Sequence, residues 1–304
     1  MNSTTADNHI FLMGHPPLNE YLNFVAFMSG EGQNANLRII TDEWRSANDH
    51  VLELERTEAG WADGPTIAAL PIQLEPLATA VLANPMVHRS FLLPTRIALV
   101  ELDRLVVYQK HINLAYVESI KEKLGSSPNA ETVFKACLPV DHTLPPIRVQ
   151  QTNINTWVFV SPTSDLRFLD ASLLEPSQIC GYRSAGPIFK VLGVVVGCGS
   201  NYLNSIHVEN RLVLNNGSHR AFALRDLGIT HVPCLIQGVS RREELPITGN
   251  SDLQATPDRY LRALRPPLLK DYFDPKLRKV LPIQRRLHQV TIQYAQLPGD
   301  VPAL

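Results

Sequence analysis

The residues of this chain that are best suited to chemistry lie in one short turn, residues 216–220, with the sequence Asn-Gly-Ser-His-Arg. The turn follows an apolar run and precedes an Ala-rich segment that Gly228 closes, so we expect a helix of about ten residues to begin near Ser218. A helix N-terminus presents unpaired backbone N–H groups and a partial positive charge. Gly217 would let a ligand approach the backbone, and His219 and Arg220 would add cationic donors. Together these features predict an anion site, most naturally for phosphate.

The same five residues also have a purely structural interpretation. Asn-Gly-Ser is an ordinary turn and helix cap, and Arg220 could pair with an acidic side chain. Positive charge at the start of a helix is unfavourable for the helix dipole, which argues against a role in stability alone. The residues by themselves leave both interpretations open.

Two apolar segments flank the turn and predict the β-strands that position it. Arg211–Leu214 stands upstream and Thr230–Ile236 downstream, while Gly228 at the C′ position ends the intervening helix. Two strands joined by a short helix form a crossover unit, which is almost always right-handed. Asn113 is expected to cap a second helix, which ends at Leu124.

The remaining pattern of apolar runs and capped polar stretches predicts an α/β (α+β) fold with a mixed sheet at 94–240. Further strands are expected at Tyr21–Phe27, Arg96–Val107, Pro145–Val149, Trp157–Val160, Leu166–Leu169, Phe189–Val196 and Val290–Tyr294. Further helices are expected over Thr41–Leu54 with Thr41 as N-cap, over Glu75–Leu82, and from Thr256 with Pro257 in the first turn.

The turn and its surroundings resemble the signature turn of the ParB/sulfiredoxin superfamily. The similar features are the strand, residues 216–220, the following helix, Gly228, and the Val-Pro pair at 232–233. The first strand and helix of that fold are similar to the segment that contains Leu102–Val107, Gln109 and the helix that follows. Its second strand is similar to residues 146–149. The resemblance covers residues 94–150 and 205–237 and implies a mixed sheet with crossover helices, with an insertion near 155–205.

Members of this family bind nucleotides through the turn, so the resemblance implies a nucleoside triphosphate ligand. Mg²⁺ is the expected cofactor because it neutralises phosphate charge. The phosphates would be held at the turn by Asn216, Gly217, Ser218, His219 and Arg220. Gln109 occupies a family-matched position that implies it lines the same pocket.

Two residues depart from the catalytic members of the family. Sulfiredoxins carry a cysteine just before the His-Arg pair, and Ser218 stands there in this chain, so reduction of a sulfinic acid is not expected. The family's free-serine kinases place an acidic residue before the glycine, and Asn216 cannot serve as a carboxylate base.

Two functions therefore follow as expectations. The first is a nucleotide-binding enzyme that performs phosphoryl transfer or nucleotide hydrolysis. The second is a non-catalytic, nucleotide-responsive adaptor that binds DNA or another protein. The absence of an acidic residue beside Gly217 favours the second, although no clear helix-turn-helix follows Gly238.

Charge is distributed unevenly and suggests three regions: a cap at 1–92, a core at 93–240 and a Pro-rich basic extension at 241–304. Residues 1–100 contain eleven Asp or Glu against five Lys or Arg, whereas residues 259–286 contain nine Lys or Arg against two Asp. Such asymmetry predicts different roles for the two ends, or contact between them. The basic tail could bind nucleic acid or protein, form a solvated face, or pair with the acidic cap; its cations include Lys276, Arg278, Lys279, Arg285 and Arg286.

Composition supports a globular protein with a sizeable core: of 304 residues, 44% are hydrophobic and 19% charged, with a net charge of −1. No apolar stretch approaches the ~20 residues that cross a bilayer, and no secretory signal is evident, so we expect a cytoplasmic protein without membrane contact. The four cysteines form no CxxC pair and are expected to be buried thiols rather than zinc ligands. Gly197-Cys198-Gly199 resembles the start of a dinucleotide fingerprint, but a loop after a strand is the better interpretation.

Overall fold

The computed structural model describes residues 6–29, 36–140, 145–163, 165–181, 186–249 and 251–297, and it shows a mixed α/β protein. The chain divides into two compact units. Unit 1 comprises Met1–His142 and Ser200–Arg285, and unit 2 comprises Thr143–Gly199 and Arg286–Leu304. The general expectation of an α/β fold with a mixed sheet is confirmed.

The strands, in chain order, are β1 (Ala6–Leu12), β2 (Ile67–Ala68), β3 (Thr95–Glu101), β4 (Val106–Val107), β5 (His111–Asn113), β6 (Arg148–Asn153), β7 (Thr156–Ser161), β8 (Leu166–Leu174), β9 (Val191–Cys198), β10 (Asn204–Val208), β11 (Arg211–Asn216), β12 (His231–Gly238), β13 (Arg278–Gln284) and β14 (His288–Gln293). The helices are α1 (Leu18–Met28), α2 (Leu37–Thr57), α3 (Glu75–Leu82), α4 (Pro85–Ser90), α5 (Leu114–Leu124), α6 (Ala130–Cys137), α7 (Ser218–Asp226), α8 (Leu245–Thr248), α9 (Ser251–Ala255) and α10 (Pro257–Leu261).

The main sheet of unit 1 has six strands in the order β2-β3-β12-β10-β11-β4. It is mixed, because β10 and β12 are parallel, β11 and β4 are parallel, and the other neighbours are antiparallel. Its central strands β10, β11 and β12 are almost entirely buried, as expected for strands covered on both faces. Helices α5, α6 and α7 contribute buried apolar side chains to the same core.

The segment predicted as strand, helix and strand around residues 211–236 is confirmed as β11, α7 and β12. Helix α7 ends in a Schellman motif: the N–H of Gly228 donates to the carbonyl of Arg225, and that of Ile229 donates to Leu224. Gly228 has the expected positive φ of 81°. The strands differ from the expected simple crossover, because β10 lies between β11 and β12 and these two run in opposite directions.

A smaller sheet in unit 1 joins the N-terminal strand β1 to β13 of the basic tail, in the order β13-β1-β5. All seven residues of β13, within the basic tail, pair with β1. Lys279 binds Glu43 with an Nζ–Oε1 distance of 2.5 Å, and Arg285 binds Asp7 with an Nη2–Oδ1 distance of 2.6 Å. Of the roles left open for the tail, contact with the acidic N-terminal region is the one that these pairs show.

Two predictions in the N-terminal region are wrong. Residues 21–27 lie in helix α1 rather than in a strand, because Tyr21 and Val25, four residues apart, are buried on one helical face while Phe27 is exposed. Helix α2 begins four residues before Thr41; its N-cap is Asn36, whose side chain accepts from the N–H groups of Arg38 and Ile39. Asn113 caps α5 as predicted.

Unit 2 is built from β-strands. Strands β14, β7 and β6 form one antiparallel sheet, and β8 and β9 form a two-stranded hairpin. Most of the predicted insertion at 155–205 lies in this unit. Gly197 and Cys198 are the last two residues of β9, and the loop that leads into β10 begins at Gly199, so the loop interpretation of the Gly-Cys-Gly segment is confirmed only from Gly199 onward.

None of the helices in the described part of the chain combines the length and the apolar composition needed to cross a bilayer.

Candidate functional site

Gly217 is the residue that lets the chain pass from β11 into α7. Its φ of 98° lies in the left-handed region, which glycine adopts without strain. A Cβ at this position would lie 3.1 Å from Cγ of Leu203, closer than ordinary van der Waals contact. The glycine is therefore required by local conformation and by packing against Leu203, independently of any ligand.

Arg220 turns its guanidinium into the protein. Its Nη1 donates to the carbonyls of Ala136 at 2.9 Å, Cys137 at 3.1 Å and Asn201 at 2.7 Å, and the residue is only 8% exposed. These bonds tie α7 to the end of α6 and to the loop before β10. The sequence suggested a phosphate or an acidic side chain as the partner, whereas these three bonds go to backbone carbonyls.

His219 is a neutral acceptor, which corrects the expectation of a cationic donor. Its Nε2 accepts a hydrogen bond of 3.0 Å from the backbone N–H of Asn113, so its proton is on Nδ1. Burial, together with the nearby His111, His9 and Arg220, lowers the pKa of His219 to about 4. The imidazole is uncharged at neutral pH and supports the N-terminus of α5.

Three histidines from distant parts of the sequence lie close to the start of α7. His9 and His111 approach with an Nδ1–Nδ1 distance of 3.1 Å, and both lower the pKa of His219. Burial, His9 and Lys110 lower the pKa of His111 to about 4. The pairing of β1 with β5 brings His9 and His111 together, so residue spacing along the chain carried no signal for this cluster.

Asn216 also has a structural role. Its Nδ2 donates to the carbonyls of Ser200 at 2.9 Å and Tyr202 at 3.2 Å, which fixes the loop that leads into β10. The neighbouring Asn215 extends this network by donating to Oδ1 of Asn204 at 3.1 Å. The amide of Asn216 thus ties the end of β11 to the loop that leads into β10.

Gln109 lies beyond the end of β4, where its Nε2 donates to the carbonyl of His111 at 3.0 Å. It lines a shallow cleft of unit 1 together with His15, Lys110, Arg259 and Tyr260, among others. None of residues 216–220 lines that cleft. The resemblance implied that Gln109 shares a pocket with residues 216–220, but in the structure this cleft does not include the turn.

Ser218 differs from its neighbours in the turn. It is half-buried, it is the first residue of α7, and its hydroxyl has no hydrogen-bond partner among the described residues. The first N–H groups of a helix have no acceptor within the helix itself. Ser218 and the start of α7 are thus the part of the predicted site that keeps hydrogen-bonding capacity for a ligand.

The four cysteines differ in burial. Cys137 and Cys234 are buried, and burial raises the pKa of each thiol to about 12. Cys180 is exposed and Cys198 half-buried, which corrects the expectation that all four are buried. The described ranges contain no group of three His, Cys, Asp or Glu side chains arranged to hold a metal ion.

Comparison with known protein families, characterised proteins and solved structures found no match.

Proposed function

We propose that this protein binds a phosphate-bearing ligand, such as a nucleoside triphosphate, at the start of α7, and that it acts as a non-catalytic adaptor. The observation that carries the proposal is the hydroxyl of Ser218, which has no hydrogen-bond partner within the described part of the chain and belongs to the first residue of a nine-residue helix. Backbone N–H groups at a helix start and an adjacent hydroxyl together suit a phosphate oxygen.

The geometry supports binding through the backbone and Ser218 rather than through cationic side chains. Arg220 donates inward to three carbonyls, and His219 is neutral and accepts from Asn113. Phosphate recognition would then use hydrogen bonds and the helix dipole, which together give modest affinity.

The same contacts favour an adaptor over a phosphotransferase. Transfer of a phosphoryl group requires a base and cations positioned on the reacting oxygens. Instead, Asn216 fixes the loop that precedes β10. His219 bonds to the start of α5, and Arg220 bonds to the end of α6. A magnesium ion at this site would arrive with the ligand's phosphates, because imidazoles and an amide surround the turn and Mg²⁺ prefers oxygen ligands.

The partner of the adaptor is more readily a protein than DNA. Two cations of the basic tail, Lys279 and Arg285, are paired with Glu43 and Asp7. Neutralised cations release few counterions on contact with a nucleic acid, so they add little affinity for it.

The experiment is thermal unfolding of the full chain with ATP, CTP or pyrophosphate, each with and without Mg²⁺. A ligand at 100 times its dissociation constant stabilises a protein by about 2.7 kcal/mol, which raises the melting temperature measurably. The informative variant is Ser218→Asp, since a carboxylate at a helix start favours the helix but repels phosphate. We expect this variant to melt at or above the wild-type temperature and to lose the ligand-induced shift.

The matched control is Ser119→Ala, which removes an exposed hydroxyl of α5 and should leave the shift unchanged. Chromatography after incubation should recover the nucleotide intact. The proposal is overturned if no probe stabilises the wild type, if Ser218→Asp keeps the full shift, or if the chain converts the nucleotide in a manner that depends on Ser218.

A further inference from the structure

The β8–β9 hairpin of unit 2 carries an exposed face made only of apolar side chains. Antiparallel pairing places Leu173 opposite Leu192, Ala171 opposite Val194, and Phe168 opposite Val196. Residues directly opposite in an antiparallel pair point to the same side of the sheet. These six side chains therefore share one face, which we call the hairpin face.

The register is supported by packing on the other side of the hairpin. Leu174 lies against Gly193 and Leu169 lies against Gly197, where a Cβ would meet each leucine at 2.9 Å. Leu169 has no direct partner in β9, because the register shifts between Phe168 and Asp170 as in a β-bulge. This shift leaves Phe168 on the hairpin face. The opposite side also carries Ser172 and Asp170, so only one side is wholly apolar.

The hairpin face is open to solvent. Leu173 is 71% exposed, Leu192 64%, Phe168 49% and Val194 37%. Together with the exposed Ala171 and the partly exposed Val196, these side chains present roughly 500 Å² of apolar surface, within the range of the largest patches on ordinary monomers.

We propose that the hairpin face is the contact surface of a homodimer, in which it packs against the same face of a second copy of this chain. A two-fold interface sets a patch against itself, so it requires a self-complementary surface, and a wholly uncharged apolar face meets that requirement. Two copies would bury about 1,000 Å² in total, the area at which specific interfaces begin.

The charged residues at the ends of the hairpin are paired with each other, which favours a second copy of this chain over a charged partner. Arg167 pairs with Asp165 at one end, with an Nη2–Oδ1 distance of 3.5 Å, and Lys190 pairs with Glu175 at the other. Arg167 is paired with Gly197 and so lies on the side opposite the hairpin face. Neither ion pair therefore adds net charge to the apolar centre of the hairpin face. An anionic lipid surface or a nucleic acid would instead require unpaired cations beside the apolar residues.

The test is the molar mass of the full chain by light scattering and sedimentation over a hundredfold range of concentration. We expect a monomer–dimer equilibrium for the wild type. Leu173→Asp and Leu192→Asp should each shift it to monomer by at least tenfold in dissociation constant, because each carboxylate would be buried twice in a two-fold interface. Ser172→Asp, on the opposite side of the same strand, is the matched control and should remain dimeric.

A charge-complementation experiment separates loss of contact from loss of folding. The double variant Leu173→Lys, Leu192→Lys and the double variant Leu173→Asp, Leu192→Asp should each be monomeric, and their mixture should form a heterodimer. A monomeric wild type at all concentrations, an unchanged dimer in Leu173→Asp, or a monomer that floats with phosphatidylserine vesicles would overturn the proposal.

Discussion

His219 and Asn113 are joined by a hydrogen bond in which the imidazole Nε2 accepts the backbone N–H at 3.0 Å. Asn113 is the N-cap of α5, and its side chain accepts from the N–H of Tyr116. The first turn of α7 thus satisfies a donor at the start of α5, and the ring of Tyr116 lies edge-on against His219. Protonation of His219 at Nε2 would break this bond, so the protonation state of His219 affects the stability of the fold.

The pH dependence of folding should reveal this coupling. His219 and His111 have pKa values of about 4 in the folded chain, against about 6.5 when unfolded. The unfolded chain therefore binds more protons between these values, so stability is complete above pH 6.5 and falls as the pH drops to 4. We expect a loss on the order of 2–3 kcal/mol from His219, measured by urea unfolding at a series of pH values.

The variant that isolates His219 is His219→Gln, because an amide oxygen can accept the N–H of Asn113 and does not titrate. It should show a smaller loss of stability between pH 6.5 and 4 than the wild type. The exposed His88 offers a control, and His88→Gln should keep the wild-type slope. Identical slopes in all three proteins would show that His219 is not buried as a neutral group.

Arg220 should matter for stability rather than for ligand affinity. Arg220→Ala removes the donor shared by the carbonyls of Ala136, Cys137 and Asn201, and we expect a loss of about 2–4 kcal/mol in the free energy of unfolding. Arg220→Lys should recover part of this, since an ammonium reaches fewer acceptors. Calorimetry and titration with ATP would check both; a tenfold weaker affinity with unchanged melting would assign Arg220 to the ligand instead.

Gly217→Ala should destabilise the protein more than Gly228→Ala. Both glycines have positive φ, 98° and 81°, so alanine costs about 1 kcal/mol or more at either position. Only at Gly217 would the new methyl also meet Leu203, whereas nothing lies within 4 Å at Gly228. Equal losses in chemical denaturation would mean that the contact with Leu203 relaxes without cost.

The buried pair of Arg265 and Asp271 should contribute to stability in acid below the range in which the histidines titrate. Burial acts to raise the pKa of Asp271, but bonds from Arg265 and His15 outweigh it and lower the pKa to about 2. The carboxylate therefore contributes stability that is present above its unfolded pKa, about 3.9, and is lost as the pH falls through 2.

Asp271→Asn tests this pair at neutral pH. It leaves the guanidinium of Arg265, whose side chain is 1% exposed, without its bidentate partner, and we expect a loss of about 3–5 kcal/mol in urea unfolding. Glu131→Gln breaks the exposed pair with Lys135 and should change stability by less than about 0.5 kcal/mol. Similar effects for the two variants would contradict the burial of the Arg265–Asp271 pair.

Local signals in the sequence determined the elements around the turn. The cap at Asn113, the turn at Gly217 and the Schellman ending at Gly228 depend on residues within one or two turns of each other. Their conformational preferences act over short distances, so the order of strand, helix and strand around residues 211–236 could be predicted.

Only the tertiary structure decided what the side chains of the turn contact. Arg220 meets carbonyls more than eighty residues upstream, and His219 joins histidines from β1 and β5 through strand pairing across a hundred residues. The same holds for α1, whose apolar run was compatible with a strand until packing buried Tyr21 and Val25 on one face. Residue types specify which bonds a side chain can make, but desolvation and long-range packing select the partners. In this turn, Asn216, His219 and Arg220 are bonded within the protein, whereas the hydroxyl of Ser218 has no partner among the described residues.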